Sequence, residues 1–508
     1  MKQQGAGNAI LMLCTLLGAS ELVKAGDLTV ESAITVDTIV SDNIDQAPRD
    51  EAESDFRLGI RPIVSFRSQA ARLNWNLDLS AEARAFLNST DVNRIDPQIQ
   101  GRAEAELLPE NLFLEGLVNL RQSFSTGRAR GAGGQGAGLA EDQTDVFSLS
   151  LGPIWRSDLE GYAQVVGTYR YEYIRANDAV EATHIQRVGL EAVSDRELER
   201  LDWALSYRGE WSTRGQGGDE NAGDDNPDTL SRQEFRAEAD YQLNDDWALS
   251  GAAGYEGGQG NNTRGEETES GVYWSVGGTW NPSRIFAFKL LLGPDDREFY
   301  FTFSPTRRTD LAVSVIDRGV GRDAGVTWDG RLTHRTRHSN WVLLYEERST
   351  SQAETEVADV VGDPAFDEVD DVLNPGSTLG LTDEQFFRRR LQASVDYNRG
   401  RTRVSLRGAF EQREFAGDGD AEQTWEAGLT WEWLVGRRTS TVLTLDWEDA
   451  EFRDDRTETF LSFGLGLAYL FSEDLQGLIG FTHLNRDTAD DADDFQENRL
   501  GLLLRMEF

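Results

Sequence analysis

The chain has 508 residues, of which 39% are apolar, and its formal charge is −39 at pH 7. This length allows one large domain or several smaller ones, whereas the acidic balance disfavours a nucleic-acid-binding protein. Beyond the N-terminal segment there is no run of 18 or more apolar residues, so a transmembrane helix is excluded.

The N-terminus has the features of a secretory signal peptide. Lys2 precedes the apolar run of residues 9–17, and Ala25 supplies the small residue that signal peptidases prefer. We therefore predict that residues 1–25 are removed on export and that residues 26–508 form one domain. The only cysteine, Cys14, lies in the removed segment, which suits a protein of the oxidising periplasm or outer membrane. Because strand-like sequence begins at Leu28, we expect no N-terminal plug domain.

From Leu28 onward, apolar and polar residues alternate along segments of about ten residues. In residues 71–79 every odd position is apolar, and the positions between them carry Arg, Asn or Asp. Residues 425–433 repeat the pattern, with three tryptophans on one side and Glu426 and Glu432 on the other. Such alternation is typical of transmembrane β-strands, in which one face meets lipid and the other faces a polar lumen.

The connections between these segments fall into a short class and a long class. The short ones include residues 109–111, 243–246 and 398–400, and the long ones are acidic or glycine-rich, as in residues 127–142 and 352–384. Short turns lie in the periplasm and long loops outside in barrels of this kind. We predict an all-β fold, a closed up-and-down antiparallel transmembrane β-barrel of about 24 strands, in the range 22–24. The count depends on the short, weakly alternating segments within residues 284–317.

The long predicted loop of residues 352–384 contains ten acidic residues and no basic one. Carboxylates suit hard cations such as Ca²⁺ and the cations that bridge lipopolysaccharide. A solvated, repulsive surface explains the same composition without a ligand. We predict no specific metal site and no cofactor.

Charged residues of both signs are predicted on the lumen face of two neighbouring strands. They are Arg388, Arg390, Asp396, Arg403, Arg407 and Glu411. Such residues can select the solutes that pass a wide pore. They can equally satisfy one another across strands, and the sequence leaves both roles open.

No arrangement of residues indicates catalysis. His334, His338 and Ser339 lie in one short turn without an acidic residue beside them, so a catalytic triad is not indicated. We predict that the protein is not an enzyme.

The last residues form an alternating strand that ends in an aromatic side chain. Its apolar positions are Leu500, Leu502, Leu504, Met506 and Phe508. Such a strand resembles the C-terminal signal by which the barrel assembly machinery recognises its clients. We therefore predict location in the outer membrane, in contact with its lipid and lipopolysaccharide.

Three segments carry a more specific resemblance: residues 54–86, 106–124 and 331–351, with the sequences "SDFRLGIRPIVSF…", "ELLPENLFLEG…" and "RLTHRTRHSNW…". They resemble the outer-membrane β-barrel family associated with PEP-CTERM/exosortase systems, which is similar to barrels of exopolysaccharide gene clusters. The resemblance implies a non-enzymatic channel for export or assembly of exopolysaccharide or of sorted surface proteins, with periplasmic export components as partners.

Two other functions fit the same pattern. One is a general diffusion porin for small solutes, which a count of 16 or 18 strands would favour. The other is a structural or adhesive surface barrel whose acidic loops bind cations.

Overall fold

The computed structural model describes residues 27–89, 93–124, 143–159, 161–176, 180–195, 200–214, 229–259, 269–321, 324–351, 385–415, 421–489 and 494–508. The predicted signal segment and the acidic loop of residues 352–384 lie outside these ranges. Within them, no helix is long and apolar enough to cross a bilayer.

The described residues form twenty-four β-strands in one sheet. The strands are β1 (Asp27–Ser41), β2 (Asp55–Gln69), β3 (Leu73–Phe86), β4 (Arg94–Leu108), β5 (Leu112–Phe124), β6 (Gln143–Asp158), β7 (Ala163–Ala176), β8 (Val180–Ser194), β9 (Leu201–Arg214), β10 (Thr229–Gln242), β11 (Trp247–Gln259), β12 (Gly271–Ser283), β13 (Phe286–Leu292), β14 (Asp296–Thr306), β15 (Thr309–Arg318), β16 (Gly325–Arg335), β17 (Ser339–Ser351), β18 (Gln385–Arg399), β19 (Thr402–Phe415), β20 (Ala421–Leu434), β21 (Thr439–Glu451), β22 (Thr457–Leu470), β23 (Leu475–Thr488) and β24 (Phe495–Glu507).

Each strand pairs antiparallel with the next, and β24 pairs with β1, so the sheet closes into a barrel. Closure leaves no row of unpaired backbone groups facing lipid. The predicted all-β barrel and its strand number are confirmed. The segment on which the count depended forms β13, β14 and β15, which are only 7, 11 and 10 residues long.

The outer face of the barrel is apolar and ends in aromatic side chains at both edges. On β11, Trp247 and Tyr255 both point outward and are largely exposed. They are eight residues apart, or roughly 27 Å along the strand. Exposed aromatic side chains flank the apolar band on other strands too: Trp280, Trp341 and Trp433 at one edge, and Trp274, Trp328 and Trp425 at the other. An apolar band between two aromatic girdles is the outer surface that a bilayer requires.

The C-terminal strand presents its predicted apolar face to the outside. Leu500, Leu502, Leu504, Met506 and Phe508 are all exposed there. Residues that alternate with them, such as Leu503, lie on the inner face, where they are opposite β1 residues that also point inward. The predicted alternation therefore corresponds to a lipid face and a lumen face.

The short turns cluster at one end of the barrel, the periplasmic end. They include residues 70–72, 109–111, 336–338 and 400–401. At the opposite, extracellular end, several connections are also short, among them residues 177–179, 293–295, 319–324 and 452–456, which departs from the expected alternation of long and short connections. The strands β13 to β16 have 7 to 11 residues, so the wall there is lower than at β12 and β17, which have 13 residues each.

The first and last strands close the barrel along a seam. Residues 33–41 of β1 pair with residues 499–507 of β24. At the extracellular end of the seam, Asn498 donates two hydrogen bonds of 2.7 Å, from its backbone and side-chain nitrogens, to the Asp42 carboxylate. Further bonds join Ser41 to Glu497, Asn43 to the carbonyl of Gln496 and Gln46 to Glu497. The connection after β1 thus clasps the last strand.

Candidate functional site: the charged inner wall

Arginine and carboxylate side chains line the inner wall and pair across neighbouring strands. On β1 to β4, Arg57 pairs with Asp37, Arg84 bridges Glu82 and Asp96, and Arg61 also pairs with Glu82. Further round the wall the same arrangement recurs as Arg187 with Glu172 and Glu210, and as Arg486 with Glu458. Because these charges face the lumen and not the lipid, the inner surface is polar.

Three of the six predicted lumen residues meet in one buried cluster. Glu411 on β19 accepts a 2.9 Å hydrogen bond from Arg388 and another of 2.9 Å from Arg413. Arg390 lies directly opposite Glu411 in the ladder and pairs with it at 3.7 Å. Arg413 was not singled out from the sequence, although it follows Glu411 at the two-residue spacing of the same face.

The other three predicted residues lie nearer the periplasmic end and are separate from that cluster. Asp396 accepts a 2.6 Å hydrogen bond from the Ser405 hydroxyl. Arg407 reaches across β20 to Asp446 on β21, at 2.7 Å. Arg403 pairs with Glu432 at 3.2 Å. All six share one face, but they do not form a single site.

The arginine side chains of the inner wall differ in exposure: some are buried in ion pairs, and others can contact a solute in the lumen. The Arg403 and Arg407 side chains are 59% and 40% exposed, whereas that of Arg388 is 3% exposed. We expect the double change Arg403→Gln and Arg407→Gln to shift the reversal potential in a KCl gradient toward cation selectivity, because exposed lumen charges act on permeating ions. The change at Arg403 should alter the free energy of unfolding by less than about 1 kcal/mol, because its partner Glu432 is also exposed, whereas the change at Arg407 should cost more, because it leaves the buried Asp446 without its cation.

Arg388→Gln is the matched comparison. It leaves Glu411 buried with one partner fewer and should lower the free energy of unfolding by about 3 kcal/mol, while the reversal potential stays close to that of the unchanged protein. A larger shift of the reversal potential for Arg388→Gln than for the double variant would contradict this division.

The barrel wall folds sharply between β10 and β15, where side chains on distant strands touch. Arg236 on β10 donates two hydrogen bonds of 2.6 Å to the Glu298 carboxylate on β14. Three strands lie between them, which would hold the two residues roughly 19 Å apart in a flat sheet. The bidentate pair therefore marks a tight corner in the wall, here called the folded corner.

Arg318 ties the extracellular part of the folded corner together. From β15 it reaches Glu256 on β11 at 3.2 Å, Asp296 on β14 at 3.3 Å and Glu298 at 3.4 Å. Its guanidinium also lies 4.2 Å from the centre of the Tyr273 ring on β12. Arg318 also contacts Glu234 on β10 at 3.5 Å, so one buried cation joins five strands and neutralises carboxylates that are hidden from solvent.

The column of ion pairs continues toward the periplasm. Lys289 on β13 contacts Glu238 at 3.4 Å and Asp240 at 3.2 Å, both on β10. Together with Arg236 and Arg318, Lys289 fixes β10 against β13, β14 and β15 over much of the strand length. The lumen is consequently not a plain circular tube.

Small inward-facing residues make this bend possible. On β11 they are Ser250, Ala252 and Gly254, and on β12 they include Ser275 and Gly277. A Cβ added at Gly277 would lie 1.8 Å from the Leu290 carbonyl oxygen, and one at Gly254 would lie 2.5 Å from the Tyr273 ring. The spacing of small residues at every second position is the local signal from which the corner could have been found.

The ion pairs of the inner wall hold strands together and make that wall polar. No group of three or more His, Cys, Asp or Glu in those ranges is placed to hold a metal ion. His334 forms a 2.8 Å hydrogen bond with the Thr309 hydroxyl, and His184 one of 2.7 Å with the Tyr171 hydroxyl. These histidines are thus engaged by neighbouring hydroxyl groups.

No family model matches the chain, and no curated protein matches it. Among solved structures it is similar to the siderophore receptor PirA from Acinetobacter baumannii, with 10% identity over 94% of this chain and 81% of that one and a TM-score of 0.46. It is also similar to a mutant of the ferric enterobactin receptor PfeA from Pseudomonas aeruginosa (10% identity, 96% and 82% covered, TM-score 0.47). A third is the FrpB iron transporter from Neisseria meningitidis (10%, 94% and 82%, TM-score 0.44).

The class of the protein follows from its own geometry. A closed antiparallel sheet carries an apolar outer band between two aromatic girdles and a charged inner wall. These are the features of single-chain outer-membrane barrels. The chain is an outer-membrane β-barrel protein.

Proposed function

We propose that the protein is a non-enzymatic channel through which polar polymers or surface proteins leave the cell, in the export or assembly of exopolysaccharide or of sorted surface proteins. The charged inner wall of a 24-strand barrel is the observation that carries the proposal. The choice of exported material rests on the sequence resemblance to barrels of PEP-CTERM/exosortase systems.

The width of the barrel supports passage of something larger than a small solute. Twenty-four strands spaced about 4.8 Å apart and tilted by roughly 40° correspond to a ring roughly 45–50 Å across between backbones. Diffusion porins form their channel with 16 to 18 strands, so the strand number favours a wider conduit. The folded corner holds β10 against β13, β14 and β15, so the lumen is narrower than such a circular ring.

Conductance of the refolded full-length barrel in planar bilayers tests the proposal. We expect steady openings with a conductance above that of a 16-strand porin measured in the same membrane, because a wider polar lumen holds more ions. Oligosaccharides of increasing length, added to one side, should block the current in a length-dependent way.

Small openings that sugars do not affect would support a diffusion porin instead. A silent barrel, together with unchanged polysaccharide and surface-protein export in a deletion strain, would contradict the proposal. Calcium-dependent cell aggregation that disappears when residues 352–384 are deleted would favour the adhesive function.

A further inference from the structure

One part of the inner wall departs from the charged pattern of the rest. On the inner face of β21 to β24, one row of positions across the strands carries apolar side chains or none, with Thr444 and Thr482 next to it on the extracellular side. This surface, here called the apolar panel, consists of Val442, Gly466, Leu478, Gly480, Gly501 and Leu503.

The panel is continuous because the strand registers align its members. Val442 lies opposite Gly466, Gly466 opposite Gly480, and Gly480 opposite Gly501. Gly501 in turn lies opposite Ile39 on β1, so the row crosses the seam. An uncharged row thus runs over five neighbouring strands.

Branched side chains lie over the glycines and make the panel smooth. A Cβ added at Gly466 would lie 2.9 Å from Val442 Cγ1 and 3.9 Å from Leu478 Cδ1. The same Leu478 lies 3.7 Å from the corresponding position at Gly480, and Ile39 lies 3.9 Å from that at Gly501. The row is therefore smooth and apolar, while the Thr444 hydroxyl, which lies over Gly464, and Asp37, which lies opposite Leu503, adjoin it.

The opposite face of these strands meets the bilayer. Leu465, Leu467, Ile479 and Leu502 alternate with the panel residues and are exposed on the outside. The wall is here one sheet thick and uncharged on both sides. Immediately beyond it the inner face is charged again, as at Asp446 with Arg407.

The seam connects the panel with the lipid interface at its periplasmic end. The β1–β24 ladder ends at Ala33 and Glu507, and Phe508 donates one further backbone hydrogen bond to Ser32. Among the residues that the structure describes, residues 27–31 of β1 pair with β2 alone.

Charged side chains flank this end of the panel on the inner face. Arg505, two residues below Leu503 on the same face, pairs with Glu507 at 3.1 Å. Arg67 on β2 pairs with Glu31 on β1 at 3.4 Å. All four side chains are at least 45% exposed. Positive and negative groups at this end are therefore accessible to a zwitterionic head group.

We infer that the apolar panel binds the acyl chains of phospholipid from the periplasmic leaflet, inside the barrel. The chains lie on the smooth row that crosses the seam, and the head group stays at the periplasmic end beside Arg505 and Arg67. Burial of apolar surface drives this binding. The inference goes beyond passage of a polar substrate and does not depend on it.

Nitroxide labels at single cysteines test the inference in phospholipid vesicles. With Cys14→Ser as the background, the label is placed at Leu478→Cys on the panel. Ile479→Cys, the adjacent lipid-facing position, is the apolar control. Ala204→Cys, on the inner face of β9 opposite Glu238 and likewise three residues from the start of its strand, is the aqueous control.

Power saturation compares collision of each label with oxygen, which concentrates in acyl chains, and with nickel–EDDA, which stays in water. We expect the label at position 478 to prefer oxygen as the label at position 479 does, whereas that at position 204 prefers nickel. A label at 478 that prefers nickel would overturn the inference, because water then covers the panel. A label shielded from both reagents would also overturn it, because protein then covers the panel.

Heat-dependent mobility on gels verifies that each variant is folded, and Leu503→Cys repeats the measurement if Leu478→Cys is not. A barrel that conducts no current in the bilayer experiment would count against the proposed channel but would not change the accessibility of the label at position 478. The two proposals are therefore tested independently.

Discussion

Arg318→Ala is expected to lower the free energy of unfolding by about 3–5 kcal/mol, because removal of one partner leaves buried carboxylates without their cation. Glu256, Asp296 and Glu298 are nearly inaccessible to solvent, and Arg318 contacts all three. Urea titration of the barrel in lipid vesicles measures the change as a lower midpoint with an unchanged slope.

Arg297→Ala is the matched control, since it removes an arginine from the same part of the barrel. Arg297 pairs with Asp317 on the outer face, where its side chain is 61% exposed. Exposed pairs contribute about 0–1 kcal/mol. Adding Glu256→Gln to Arg318→Ala should recover part of the loss, because one buried charge disappears. Equal midpoints for the two single variants would show that the folded corner does not depend on Arg318.

Gly277→Ala should prevent most of the chain from reaching the folded barrel. The added Cβ would lie 1.8 Å from the Leu290 carbonyl oxygen and 3.0 Å from the Leu291 Cα. These are backbone atoms of the neighbouring strand, so the wall itself must move, and we expect a cost at or above the upper end of the roughly 1–3 kcal/mol typical of overpacking. The folded fraction on heat-dependent gel mobility measures the loss.

The comparison for that change is Gly251→Ala in the same corner. Gly251 points outward from β11, and a Cβ there meets Ser275 O at 3.7 Å and Val276 Cγ1 at 3.8 Å, which is ordinary contact. This variant should fold as well as the unchanged protein. If Gly277→Ala folded equally well, the small inward residues of β11 and β12 would not be what permits the bend.

Much of the architecture is predictable from the sequence because it depends on local alternation. In a strand with lipid on one side and a polar lumen on the other, apolar and polar side chains must alternate with a period of two residues. The alternation around Trp425 and Leu502 is therefore enough to identify the outer face. The same rule places Arg388, Asp396 and Arg407 together on the inner face. Two-residue periodicity is a property of each strand alone.

Features that depend on pairing between strands are not predictable in this way. Arg388 and Arg403 both face the lumen, yet one is buried and the other exposed, because the register gives them different neighbours. The Arg236–Glu298 pair joins residues 62 positions apart and requires a bent sheet. Likewise, Gly480 and Gly501 form one row only through the β23–β24 register.

The clasp between Asp42 and Asn498 has a consequence for assembly. These residues are 456 positions apart, whereas the β1–β2 connection spans residues 42–54. Closing the longer loop costs about 3 kcal/mol more in chain entropy than closing the shorter one. The hydrogen bonds of Asp42, Asn43 and Gln46 join the β1–β2 connection to β24 at the seam, and their favourable enthalpy offsets part of this entropy cost. Until β24 is synthesised and delivered, β1 has no second neighbour, so the cell must protect nearly the whole chain from aggregation before the ring can close.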